Sequence, residues 1–184
     1  IYYGIDLLPQ VWWALVPPSF LLKGNTARYE IEIWLTRHST AGAEPRRLGT
    51  IRGPSDEISV SASEQALVRR QLRRAREHCA SCDWYGPTEP PTEKPPYHRV
   101  LIGTDSTVWV MRHAASEKSS GGKAKWAEAE SRFDIFKLPS AYVGTISGPP
   151  GIRPLLVRGD TVLALKKLAS GVHTVARLEI SWDP

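Results

Sequence analysis

Residues 97–113 read YHRVLIGTDSTVWVMRH, and after a polar gap residues 131–151 read SRFDIFKLPSAYVGTISGPPG. Val100-Leu101-Ile102 and Val108-Trp109-Val110-Met111 are β-branched or aromatic runs. The intervening Gly103-Thr104-Asp105-Ser106 tolerates the tight backbone of a hairpin, so the pattern is strand, turn, strand. Phe133 and Ile135, then Tyr142, Thr145 and Ile146, mark two more extended segments joined through Leu138-Pro139-Ser140-Ala141. Four short antiparallel strands in about fifty residues make a meander, the unit of a propeller blade.

Outward from this stretch the chain repeats itself. Gly49-Thr50-Ile51-Arg52-Gly53-Pro54 recurs as Gly144-Thr145-Ile146-Ser147-Gly148-Pro149. Each copy follows an alternating strand, Tyr29-Glu30-Ile31-Glu32-Ile33-Trp34 or Arg132-Phe133-Asp134-Ile135-Phe136. Further upstream lie Trp12-Trp13-Ala14-Leu15-Val16 and Val108-Trp109-Val110-Met111. A partial third copy closes the chain with Val162-Leu163-Ala164-Leu165 and Val175-Ala176-Arg177-Leu178-Glu179-Ile180. Three elements recurring in one order point to repeated units, where one alone could be chance. The expected fold is all-β: residues 1–184 form a single partial β-propeller, about two complete four-stranded antiparallel blades plus a partial one, with one inserted α-helix. An ordinary β-sandwich with coincidental turns is the competing architecture.

Within that frame, Val11-Trp12-Trp13-Ala14-Leu15-Val16 is a continuous apolar run ended by Pro17-Pro18, the pattern of a strand buried on both faces. The inserted element spans residues 61–79. Ser61-Ala62-Ser63-Glu64 has the S-x-x-E form of a capping box, and Val68, Leu72, Ala75 and Cys79 fall on one helical stripe. Residues 80–96, rich in proline, return the chain as a stiff extended linker. A second polar loop runs from Ala115 to Lys125.

Composition narrows the class. The chain is 41% hydrophobic and 23% charged, which argues against disorder. Seven Trp and six Tyr suit a packed β protein, in which Trp12, Trp13, Trp34 and Trp109 read as core. No apolar run approaches the roughly 20 residues that cross a bilayer, so no transmembrane segment is expected. The chain opens at Ile1 inside a strand-like run, so missing N-terminal blades of the same polypeptide are expected partners. The net charge of +5 is concentrated in the inserted helix, where Arg69, Arg70, Arg73, Arg74 and Arg76 face only Glu64 and Glu77.

The ordered series R-R-L-G-T-I, basic helix, proline-rich return, P-P-Y-H-R-V-L-I, V-W-V, R-F-D-I-F, V-G-T-I, V-R-G-D-T-V-L-A-L and V-A-R-L-E-I resembles the C-terminal part of uncharacterised bacterial six-bladed β-propellers of the NHL/TolB-like group. The likeness covers the chain from about Trp12 onward and rests on the order of short motifs. It departs from the expected pattern at Gly103-Thr104-Asp105-Ser106 and at Lys137-Leu138-Pro139. It implies a fold, a bacterial envelope location, and no particular site.

Catalytic signatures fail in turn. There is no G-x-S-x-G elbow, and Ser120-Gly121-Gly122-Lys123 lacks the flanking residues of a phosphate loop. His38, His78, His98, His113 and His173 have no ligand-like spacing, so no metal, cofactor or catalytic residue is assigned. Cys79-Ala80-Ser81-Cys82 follows a helix end; a disulfide between Cys79 and Cys82, free thiols, half a zinc site and a redox pair all remain open. Arg158-Gly159-Asp160 reads as a hairpin turn, not an adhesion tripeptide.

The expected function is therefore that of a propeller segment binding an unknown protein or small ligand, a scaffold with no catalysis of its own. One alternative is a fragment of a metal-dependent propeller hydrolase or lactonase, which would need Asp105, Asp134 and Asp160 to converge. Another is polyanion or nucleic-acid binding through Arg69, Arg70, Arg73, Arg74 and Arg76. Because no aromatic residues interleave with those arginines, a merely solvated face is the preferred reading there.

Overall fold

Period-two alternation decides which side chains each strand buries, and here it generates three stacked sheets. The computed structural model describes residues 7–16, 19–36, 44–54, 57–78, 86–113, 131–149, 152–168 and 170–181. The first sheet runs β1 (Val11–Val16), β2 (Phe20–Asn25), β3 (Glu30–Leu35) and β4 (Arg46–Arg52) in sequence order. After helix α1 (Ala62–His78), the second runs β5 (Tyr97–Ile102), β6 (Thr107–Arg112), β7 (Ser131–Lys137) and β8 (Ala141–Gly148). The third holds β9 (Ile152–Arg158), β10 (Thr161–Lys167) and β11 (His173–Glu179). Every pairing is antiparallel between neighbours in sequence, and the described fold is all-β with one helix.

The two four-stranded sheets share one register. β3 and β4 set Ile31 opposite Ile51, Glu32 opposite Thr50 and Ile33 opposite Gly49, then slip by one residue between Ile33 and Trp34. β7 and β8 set Phe133 opposite Ile146, Asp134 opposite Thr145 and Ile135 opposite Gly144, then slip between Ile135 and Phe136. The G-T-I repeat thus places Ile51 and Ile146 at matching points of two fourth strands. A bulge conserved in position bends both sheets alike.

Leu22, Ile31, Ile33 and Ile51 of the first sheet pack against Tyr97, Val108, Val110 and Phe136 of the second. The opposite face of the second sheet presents Trp109, Phe133 and Ile135 to Ile152, Val157, Val162 and Ala164 of the third. Adjacent residues on β6 therefore face different sheets, which is why V-W-V carries no polar residue. Each fully buried aliphatic contributes about 1.5–3 kcal/mol, so these two interfaces hold the stack together.

β1 corrects an expectation. Val16 is buried, but Trp13 and Leu15 are 60% and 73% exposed, so only the Trp12, Ala14 and Val16 face is packed. Trp13 is consequently not core, although Trp109 is 2% exposed and is. Pro17 and Pro18 lie outside the described residues, as do the Ala115 to Lys125 loop and residues 1–6.

The inserted arm is clamped at its base. Val60 N donates to Thr92 O at 2.8 Å and Lys94 N to Ile58 O at 2.7 Å, so residues 92–94 are hydrogen-bonded and not simply an extended linker. The capping box forms: Ser61 N donates to Glu64 Oε2 at 2.9 Å, the Ser61 hydroxyl donates to the same oxygen at 2.8 Å, and Glu64 N reaches Ser61 Oγ at 3.4 Å. Glu64 Oε1 also meets Lys94 Nζ at 2.7 Å, both side chains nearly fully buried. Burial alone would raise the Glu64 pKa, but the hydrogen bonds from Lys94 and Ser61 outweigh it and hold it below the usual carboxylate value. Val68 and Leu72 close onto Leu7 and Val60. Among the described residues no helix is long and apolar enough to cross a membrane.

Candidate functional site

Asp134 is the polar residue that the alternation of β7 drives into the core. Phe133 and Ile135 turn toward the third sheet, so Asp134 turns toward the first, where it is 2% exposed. A carboxylate so placed is costly unless each oxygen finds a donor. The Tyr29 hydroxyl donates to Oδ2 at 2.6 Å from the first sheet, and the Thr145 hydroxyl donates to Oδ1 at 2.6 Å from the neighbouring strand. Arg112 Nε lies 3.9 Å from Oδ2. Since Thr145 donates to Asp134, its oxygen accepts from the Tyr142 hydroxyl at 2.7 Å, giving a relay that ends at the carboxylate.

Tyr29 reaches across because the turn before β3 fixes its backbone. Asn25 Oδ1 accepts from Ala27 N at 2.9 Å and Asn25 O from Arg28 N at 3.1 Å. Burial first, then the hydrogen bond and the charge of Asp134, raise the Tyr29 pKa far above its ordinary value, so it remains a donor. Gly53 lies against the Tyr29 ring, where any Cβ would collide with ring carbons. The counterpart Gly148 has only ordinary contacts with Phe133 and Ser131, so the close approach belongs to the first copy.

Beside this network is a cleft of about 450 Å³ lined by Arg52, Arg112, Arg132, Tyr142 and Thr145, with Phe136 as an apolar wall. The Phe136 and Tyr142 ring centroids are 5.4 Å apart. Arg52 pairs with Glu30 at 3.2 Å, and Arg112 with Asp134. In the second sheet Arg132 stands where the first has Glu30, opposite Ser147 where the first has Arg52. The cross-strand ion pair is thereby lost, and no carboxylate pairs with Arg132 among the described residues. Asp134 itself lines the cleft alongside the three guanidinium groups.

The residues singled out from sequence lie elsewhere. Arg69, Arg70, Arg73, Arg74 and Arg76 are all exposed along α1 and outside the cleft. Cys79 and Cys82 lie outside the described residues, as does His38. Asp105 accepts from the Thr107 hydroxyl at 2.7 Å in the β5–β6 turn, and Asp160 sits in the β9–β10 turn beside Gly159, whose φ of 55° suits the hairpin. Among the described residues no three His, Cys, Asp or Glu gather as a metal cluster.

Two histidines expected to be scattered are brought together. His98 lies within β5 at the register slip between Tyr97 and Arg99, His113 directly follows β6, and their ring centroids are 4.4 Å apart. Nδ1 of His98 and Nε2 of His113 are buried without a hydrogen-bond partner. Burial, then the charges of Arg99 and Lys94, pushes His98 down to about 4. Burial, then His98 and Lys94, pushes His113 down to about 3. Both are neutral at physiological pH.

The sequence matches no protein-family model and no curated protein.

Proposed function

We propose that the three sheets are consecutive blades of a β-propeller, as the resemblance to the NHL/TolB-like group implies, and that the chain serves as a binding scaffold whose outer faces seat further blades. The carrying observation is an equivalence of cross-strand rows. Trp13, Lys23, Glu32 and Thr50 form one row of the first sheet; Val100, Val110, Asp134 and Thr145 form its counterpart in the second. Leu15, Leu21, Trp34 and Arg47 likewise correspond to Ile102, Val108, Phe136 and Tyr142. The second sheet's rows lie against the first sheet; the first sheet's own rows carry the exposed Trp13 and Leu15.

At the other end, Leu156, Leu163 and Val175 are exposed on the face of the third sheet turned from the second. Apolar faces at both ends of a stack favour neighbours of the same construction over water. The first strands of the second and third sheets, β5 and β9, also approach one another, and Thr104 N in the turn after β5 donates to Val157 O at 3.1 Å. Sedimentation of the isolated chain tests the reading. Self-association that Trp13→Glu with Leu15→Glu suppresses is expected, since neither side chain belongs to a buried cluster. A monomer at every concentration, with no dye binding to those faces, would refute it.

A further inference from the structure

We infer that the cleft between the first and second sheets seats a phosphate-type oxyanion carried by a small organic ligand. The inference concerns this cleft alone and does not require further sheets on the outer faces. Three arginines from three strands, Arg52 on β4, Arg112 on β6 and Arg132 on β7, line one cleft of about 450 Å³. Guanidinium groups offer planar paired donors that match oxyanion geometry.

Their settings differ in a way that suits binding. Arg112 is held against buried Asp134, whose oxygens are already taken by Tyr29 and Thr145, so the carboxylate is fixed and its charge answered. Arg52 is 73% exposed in its side chain and donates to Glu30 at 3.2 Å, an exposed contact worth little in water and readily exchanged. Arg132 stands at a repeat position whose counterpart holds a salt bridge, yet faces Ser147.

The cleft's size and wall favour an organic phosphate over a bare ion. Volumes of about 300–1,000 Å³ are typical of small-molecule sites. Phe136 and Tyr142 give an aromatic wall, and the Tyr142 hydroxyl, donating into Thr145, presents its oxygen lone pair to any ligand donor.

Titration of the full chain with inorganic phosphate and with phenyl phosphate, by calorimetry and amide chemical shifts, tests this. Saturable binding of phenyl phosphate is expected, tighter than inorganic phosphate, with shifts at Gly53 and Thr145. Arg132→Gln and Arg52→Gln should each weaken it about tenfold, the loss of one charge-assisted contact. Arg69→Gln with Arg73→Gln on α1 should leave it unchanged. Failure to saturate, affinity equal to wild type in Arg132→Gln, or weakening only in the α1 variant would overturn the inference. Arg132 is exposed, so its variant should fold; an unaltered thermal transition checks that.

Discussion

The Tyr29 hydroxyl, on the turn entering β3, lies 2.6 Å from Asp134 Oδ2 on β7, a hydrogen bond that ties the first sheet to the second across 105 positions of sequence. Tyr29→Phe should cost about 1.5–3 kcal/mol, the usual worth of a hydrogen bond to a charged group. Asp134→Ala should cost about 3–5 kcal/mol, because it leaves the nearly buried Arg112 without this carboxylate. Urea unfolding of both variants and of the double variant checks this. The two effects should fall well short of additive.

The arm depends on the buried pair between Glu64 and Lys94. Lys94→Met strands a carboxylate that also caps α1 and should destabilise by about 3–5 kcal/mol. Adding Glu64→Gln, which keeps much of the cap without the charge, should recover part of the loss. Helical circular dichroism during denaturation reads both. Equal stability of the Lys94→Met variant and wild type would contradict the pairing.

Acid should weaken the fold through His98 and His113. Their folded pKa values, about 4 and about 3, lie below the ordinary 6.5. Above pH 6.5 both folded and unfolded states are neutral and nothing is lost. As pH falls from 6.5 toward 4, the unfolded chain takes up protons that the folded chain refuses, so stability drops by on the order of several kcal/mol. Unfolding free energies between pH 7 and pH 4.5 should decline steeply in wild type and much less in a His98→Phe, His113→Phe variant. Parallel slopes would contradict it.

Local chemistry was legible in the sequence where its partners lie close in the chain. Ser61 and Glu64 announced the helix start, and Gly103 to Ser106 announced a hairpin, because each rests on residues within one turn. The run Val108-Trp109-Val110 was legible only as a strand, and the structure covers both its faces. Val11 to Val16, the run whose pattern predicts burial on both faces, has one face bare: an apolar run reports a demand for cover, not whether this chain meets it.

The cleft was hidden for the opposite reason. Arg52, Arg112 and Arg132 come from strands far apart in sequence, and only the shared register of β3–β4 and β7–β8 reveals that Arg132 has lost the partner Glu30 keeps. The histidine pair was hidden as well: a regular ladder counted outward from the β5–β6 turn sets His98 opposite Arg112, and the register slip between Tyr97 and Arg99 breaks that count. The arginines of α1 cluster in sequence yet do not line the cleft.

Cross-strand Hα and amide NOEs measure the repeat itself. Contacts linking Ile31 with Ile51 and Phe133 with Ile146, with the slip one step later in each sheet, are expected. A register in which Thr50 or Thr145 takes the place of its isoleucine in only one sheet would mean that the two meanders are not copies, and the equivalence of their faces would fail with it.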